Sequence, residues 1–329
     1  MSESQRIYEL DSLRGIAAIA VVVFHFTTKY AELFNTNLTL NFIDFKYGHY
    51  GVQLFFIISG FVIFMTMNKI SSASDFIYKR FIRLYPIFWI CLIITSLVTF
   101  NFPPGFGRNI SDFLVSFTMI PSLLGFRPID GVYWSLVPEL FFYLMMVVLY
   151  ITKSVDKILW VGFGWLALMI FNYFLDFPVY FQFIFNLKFG MLFLTGINFY
   201  KIFIKKDTFL NHFQILICLL ITFLDKDRLF PIFFFSFNCI FYLFVYGYLK
   251  FLRINFLMFL GKISYSFYLL HQFIGFTIIY FLINYCKITN GILLLVCPIL
   301  LTLILSIIVT LKIEIPLTNK LRKFDIFHK

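Results

Sequence analysis

A chain of 329 residues that is 61% hydrophobic and only 13% charged, with a mean hydropathy of +0.91, lacks the polar surface to cover a soluble core. An ordinary soluble globular domain is excluded. Apolar runs near bilayer-crossing length recur from end to end, so the sequence reads as an all-α, polytopic membrane helical bundle. The net charge of +11 is spread over the connecting segments and calls for no nucleic-acid partner.

Ten spans are expected, at about 13–31, 50–68, 86–102, 133–152, 157–176, 183–203, 208–225, 230–249, 264–284 and 291–313. The first is preceded by Glu3, Arg6 and Glu9 and has no small-residue cleavage site, so it reads as a retained helix. It carries Leu10-Asp11-Ser12-Leu13-Arg14-Gly15 and, further on, Val23-Phe24-His25-Phe26. Ionisable residues inside a span are expensive and are functional candidates by default. Arg14 and His25 are eleven residues apart, which returns them to nearly one helix face, roughly 16 Å apart along the axis. Span two contains Phe55-Phe56-Ile57-Ile58-Ser59-Gly60. A short amphipathic segment, residues 76–86, then leads into span three and places Arg80 and Arg83 on a shared face. Guanidinium forks suit phosphate oxygens, so Arg14, Arg80 and Arg83 are read as a holder for a polyphosphate headgroup.

The outward segment 103–132, with Pro103-Pro104-Gly105 and Arg127-Pro128, is the expected lid or acceptor loop. Its apolar piece near 112–124, with Pro121 and Gly125, reads as interfacial or re-entrant. Span four follows with Gly131-Val132-Tyr133-Trp134-Ser135-Leu136-Val137-Pro138-Glu139. At about 1.5 Å per residue, Glu139 falls about 10 Å below the outer surface and His25 about 12 Å below it. Ser59 lies at similar depth, so three polar side chains from three spans are expected at one level. His271, about 10 Å into span nine from the opposite side, is read as shallower than His25 and as structural or lining a donor path. Lys188 and Glu314-Ile315-Pro316 are read as snorkelling or interfacial. His49, His212 and His328 sit at span edges or in the tail and carry no signal.

Basic residues set the orientation. Eighteen fall in alternate segments, among them Lys79, Lys153, Lys205, Arg253 and Lys320, against seven in the opposite loops. That asymmetry places both the N and the C terminus in the cytoplasm. Five cysteines in or beside apolar spans have no paired spacing, and neither a disulfide framework nor a metal site is expected. The chain is read as one membrane domain, 1–329.

The motifs together resemble the acyltransferase-3 family of integral membrane O-acyltransferases. The likeness rests on Arg14 with His25, on Gly51 to Phe61, on Arg80-Phe81-Ile82-Arg83-Leu84-Tyr85-Pro86 and on Trp134 to Glu139. Ile263-Ser264-Tyr265-Ser266-Phe267-Tyr268-Leu269-Leu270-His271 and Glu314-Ile315-Pro316 complete it. The resemblance implies transfer of an acyl group, commonly acetyl, from cytoplasmic acyl-CoA to a hydroxyl. The implied acceptor is an envelope or exported carbohydrate, such as lipopolysaccharide, capsule or exopolysaccharide, or a small glycoside. Acetyl-CoA is the expected donor co-substrate, with no permanently bound cofactor, and membrane lipids are the other partners. In the expected scheme Arg14, Arg80 and Arg83 hold the donor phosphates and His25 is the base. Glu139 orients His25, while Ser59, Trp134 and Ser135 position the acceptor. Direct transfer and an acyl-histidine intermediate both fit. The cell membrane is the expected location, and any step needing a soluble hydrolase-like domain would fall to a partner. A transporter or flippase is the rival reading, in which the intramembrane charges would line a substrate path.

Overall fold

The computed structural model describes residues 7–34, 44–67, 69–99 and 108–323. Glu3, Arg6, Pro103-Pro104-Gly105 and His328 lie outside the described residues. Runs of Phe, Ile, Leu and Val with few breakers form helices, and among the described residues there is no strand. In chain order the α-helices of six residues or more are α1 (Tyr8–Phe24), α2 (Gly51–Met67), α3 (Ala73–Thr99), α4 (Ile110–Ser116), α5 (Leu136–Ile151), α6 (Ile158–Leu175) and α7 (Val179–Ile184). There follow α8 (Gly190–Phe203), α9 (Phe209–Thr222), α10 (Phe230–Val245), α11 (Asn255–Asn284), α12 (Gly291–Val309) and α13 (Ile315–Lys323). Short 3₁₀ turns, Lys46–Tyr50 and Gly131–Ser135, lead into α2 and α5.

Among the described residues seven helical stretches are long and apolar enough to cross a membrane: Tyr8–Phe34, Lys46–Met67, Ala73–Thr99, Gly131–Ile151, Val155–Leu175, Asn255–Asn284 and Gly291–Lys323. The chain is a multi-pass membrane protein. Shorter helices α8, α9 and α10 occupy the segments where the sixth, seventh and eighth spans were expected. Several boundaries differ from the sequence reading, two of them beside the polar residues. The amphipathic segment before residue 86 is continuous with span three, because α3 runs through Pro86 without ending. Membrane helices tolerate such a proline when neighbouring groups satisfy the freed backbone. The ninth span likewise begins at Asn255 and not near 264.

Two tight crossings organise the bundle. α1 and α11 run parallel: Arg253 Nε bonds Glu9 at 2.9 Å, Ser12 Oγ donates to the Leu252 carbonyl at 2.6 Å, and the Phe26 ring lies against Gly275. Between these contacts the two backbones touch at Gly15 and Gly261. A Cβ on Gly261 would overlap the Asp11 carbonyl, and one on Gly15 would press on that of Leu257. Gly60 of α2 and Gly196 of α8 form the second crossing, each lying against the other helix's backbone. Small residues permit this approach where lipid offers no hydrophobic drive to bring helices together.

Two π-helical turns interrupt the regular winding, His25–Lys29 after α1 and Thr310–Glu314 after α12. Such widened turns often occur at functional sites, because they re-aim a side chain without ending the helix. One begins on His25 and the other ends on Glu314.

Candidate active site

A cavity of about 830 Å³, counted with its open mouth, lies between α1, α2, α3, α5 and α11. Its polar lining comprises Arg14, Ser59, Arg80, Arg83, Ser135, Glu139, Tyr143, Ser264, Tyr265 and Tyr268. Val52, Phe55, Phe56, Val62, Ile63, Leu84 and Leu136 supply the apolar wall. Six of the eight residues singled out in the sequence share this one space. Trp134 is not among the lining residues; its ring packs between Phe56 and Phe189 and is 43% exposed.

The three arginines are held differently. Arg14 sits 4.0 Å from Asp11, one turn back on α1. Arg83 Nη1 bonds Glu314 at 2.5 Å, and its guanidinium lies over the Tyr265 ring, 5.6 Å from the centroid. Arg80 lies 5.5 Å from the Phe76 ring centroid and 5.8 Å from that of Tyr143, and donates to Thr66 Oγ1 at 3.3 Å. Among the described residues its buried Nε has no hydrogen-bond partner. Arg83 is therefore fixed by a carboxylate, while Arg80 keeps unused donor capacity beside the cavity.

Glu139 and Ser59 meet as their reckoned depths suggested. Ser59 Oγ donates to Glu139 Oε1 at 3.2 Å, and Tyr143, one turn along α5, donates to the same oxygen at 2.6 Å. His25, expected at their level, is not joined to them. Among the described residues no hydrogen bond links Glu139 to His25, so the expected orienting contact is replaced. The chain is already inside the protein when α5 begins: Ile129, Asp130, Val132 and Tyr133 are each at most 2% exposed. Glu139 instead shares its cavity with the three arginines.

The partner of His25 is His271. His271 Nε2 lies 3.2 Å from His25 Nδ1, with the rings edge to face at 4.9 Å between centroids. His271 is 0% exposed, and its Nδ1 is 2.8 Å from the Tyr268 carbonyl and 3.2 Å from that of Phe267. Tyr268 in turn borders the cavity, where its hydroxyl meets Ser135 Oγ at 2.8 Å. His271 is thus level with His25 and not shallower, because α11 starts nine residues earlier than its apolar run suggests. A buried carboxylate grips the same stretch of α11. Asp130 Oδ2 accepts the Phe273 amide at 3.0 Å and Oδ1 accepts that of Val132 at 3.2 Å.

Glu314 also corrects the sequence reading. It is 3% exposed and held within the protein, and besides Arg83 it accepts from Ser266 Oγ at 2.9 Å. Tyr143, Tyr265 and Tyr268 were not singled out as site residues. The signal was present in part, since Glu139 and Tyr143 are four apart on one helix face.

The sequence matches the family described as acyltransferase domain over residues 7–311. The peptidoglycan O-acetyltransferase OatA of Listeria monocytogenes is 29% identical over 115 residues, which cover 33% of this chain and 16% of that protein. The acyltransferase MdmB of Streptomyces mycarofaciens is 26% identical over 148 residues, 42% of this chain and 38% of that protein. The matched stretches thus cover less than two-fifths of the length of either relative. No solved structure matches the chain significantly. With nearly its whole length matched, the chain belongs to the acyltransferase-3 family of membrane proteins.

Proposed function

We propose that this protein is a membrane O-acyltransferase that moves an acetyl group from cytoplasmic acetyl-CoA to a hydroxyl of an envelope or exported carbohydrate. The observation that carries the reading is the cavity shared by Arg14, Arg80, Arg83, Ser59 and Glu139, whose wall residue Tyr268 lies against His271, the neighbour of His25. Family membership and the two acyltransferase relatives support the reaction class. In this reading ten membrane segments place both termini in the cytoplasm and the chain in the inner, cytoplasmic membrane, as the basic-residue asymmetry suggests.

The donor's phosphates lie on Arg14, Arg80 and Arg83, with Arg80 offering its free donor and Arg83 held ready by Glu314. The pantetheine arm follows the cavity and α1 toward His25, a climb of roughly 16 Å along the helix. The acceptor hydroxyl approaches from the opposite side. His25 takes its proton as the oxygen attacks the thioester carbonyl carbon. The C–S bond then breaks, and the departing thiolate takes that proton from the imidazolium. Hydroxyls of Ser135, Tyr268 and Ser59 are placed to hold the acceptor or the developing oxyanion. Glu139 fixes Ser59 and Tyr143 and balances the arginine charge beside it.

The test is proton NMR of envelope and exported glycans from cells with the gene, without it, and with His25→Ala. Base-labile O-acetyl signals are expected only with the intact gene. Equal acetylation in the His25→Ala strain, with the protein present in the membrane, would remove His25 from the reaction.

A further inference from the structure

His25 Nδ1 faces two acceptors. The Val21 carbonyl is 2.8 Å away on the same helix, and His271 Nε2 is 3.2 Å away on α11. The far side of His271 decides which kind of group its Nε2 is. Its Nδ1 lies against the Tyr268 and Phe267 carbonyls, and a carbonyl oxygen can only accept, so that nitrogen carries the hydrogen. In a neutral His271 the Nε2 is then a bare lone pair aimed at His25. Both neighbours of His25 Nδ1 are thus acceptors, and the alternative tautomer, bare at Nδ1, would set three lone pairs against one another. The hydrogen of neutral His25 belongs on Nδ1, and its lone pair on Nε2.

We propose that His271 is a positioning residue for acyl transfer: together with the Val21 carbonyl it fixes the tautomer of His25, and from α11 it holds the ring's orientation, so that Nε2 is the nitrogen that takes the acceptor proton. This inference rests on the reading of His25 as the base. When His25 becomes the imidazolium, its Nδ1–H still points at two lone pairs, so the cation is held by a neutral histidine and a carbonyl. Among the described residues no carboxylate bonds either histidine. The orienting group in turn is fixed by main-chain atoms of α11, and that helix turn is gripped through Phe273 by the carboxylate of Asp130.

Solid-state NMR of protein labelled with ¹⁵N-histidine, in lipid bilayers, reads the tautomer without any assumption about the reaction. His25 is expected with a protonated Nδ1 and a bare Nε2, and in His271→Ala the other tautomer is expected to appear beside it. Thioester cleavage of acetyl-CoA by the same preparations, followed as free thiol, gives the functional arm. His271→Ala is expected to lower kcat by about 10²-fold, the lower end of what a positioned base contributes, with KM for acetyl-CoA unchanged within about twofold. His271→Gln keeps an amide oxygen within reach of His25 and is expected to recover most of that loss, which a packing role would not predict. The double variant with His25→Ala is expected to be no slower than His25→Ala alone. An unchanged His25 tautomer in His271→Ala, or full activity of that variant beside an inactive His25→Ala, overturns the inference and leaves the base intact. Full activity of both single variants overturns the base and this inference together.

Discussion

Arg80 and Arg83 are three residues apart on one helix, yet their surroundings give them separate tasks. Arg83 shares a bond with Glu314, so removing that carboxylate leaves both Arg83 and Ser266 without their partner. Glu314→Ala is therefore expected to cost about 1–3 kcal/mol of stability, read as a lower melting temperature in detergent. It should also raise KM for acetyl-CoA, because Arg83 loses its fixed aim. Among the described residues Arg80 has no carboxylate partner, and Arg80→Ala is expected to act on donor binding more than on folding. Loss of one charged hydrogen bond to phosphate, about 1.5–3 kcal/mol, corresponds to a KM roughly 10–100-fold higher. Unchanged KM values in both variants would move the donor phosphates elsewhere. The arginines were legible in the sequence because their spacing and chemistry are local. Glu314 was not, since a carboxylate before Ile315-Pro316 near a span end looks interfacial, and only the π turn that ends on it carries it into the bundle.

At the level of helices, the pairing of α1 with α11 decides where the histidines fall. The two helices touch at Gly15 and Gly261, and each histidine lies ten residues further on, His25 from Gly15 and His271 from Gly261. Parallel helices with equal offsets from one contact bring those side chains to the same height, about 15 Å beyond it. The equal spacing is visible in the sequence, but it has meaning only once the two glycines are known to meet. Depth reckoned from the start of the apolar run put His271 too shallow for the same reason. Gly261→Ala tests the arrangement. The added methyl would overlap the Asp11 carbonyl, so the helices must part or slide, at a cost of about 1–3 kcal/mol. Acetyl-CoA cleavage is expected to fall with it, whereas Gly164→Ala, at a position on α6 with nothing within 4 Å, should change neither stability nor rate. Equal behaviour of the two variants in melting and turnover would speak against the crossing.

Over the whole molecule, a helical membrane bundle was readable from composition alone, whereas the identity of its inner helices was not. α2 and α11 are the most enclosed and α6 and α12 the least, but all four are strongly apolar. In lipid, an apolar face toward acyl chains and one toward protein look alike to hydropathy, so the sequence separates spans from loops better than core from perimeter. The perimeter can be tested directly. Leu97 on α3 is 73% exposed and should contact lipid, so Leu97→Arg is expected to cost about 2.5–3.5 kcal/mol at mid-membrane depth and less near an interface. Reduced recovery in the membrane fraction would be the reading, with Leu97→Ile as the neutral companion; full recovery of the arginine variant would place Leu97 in water or against protein.

The long-range nature of the contacts has a consequence for how the protein is made. His25 and His271 are 246 residues apart in the chain, Glu9 and Arg253 are 244 apart, and Arg83 and Glu314 are 231 apart. At a synthesis rate of about 5–20 residues per second, the first helix waits on the order of ten to fifty seconds in the membrane before its partner emerges from the ribosome. During that interval Glu9, Asp11, Arg14 and His25 stand in a young helix without α11 to receive them. A chain released before about residue 270 would carry His25 without His271, so the histidine pair of the proposed centre forms only once α11 has emerged.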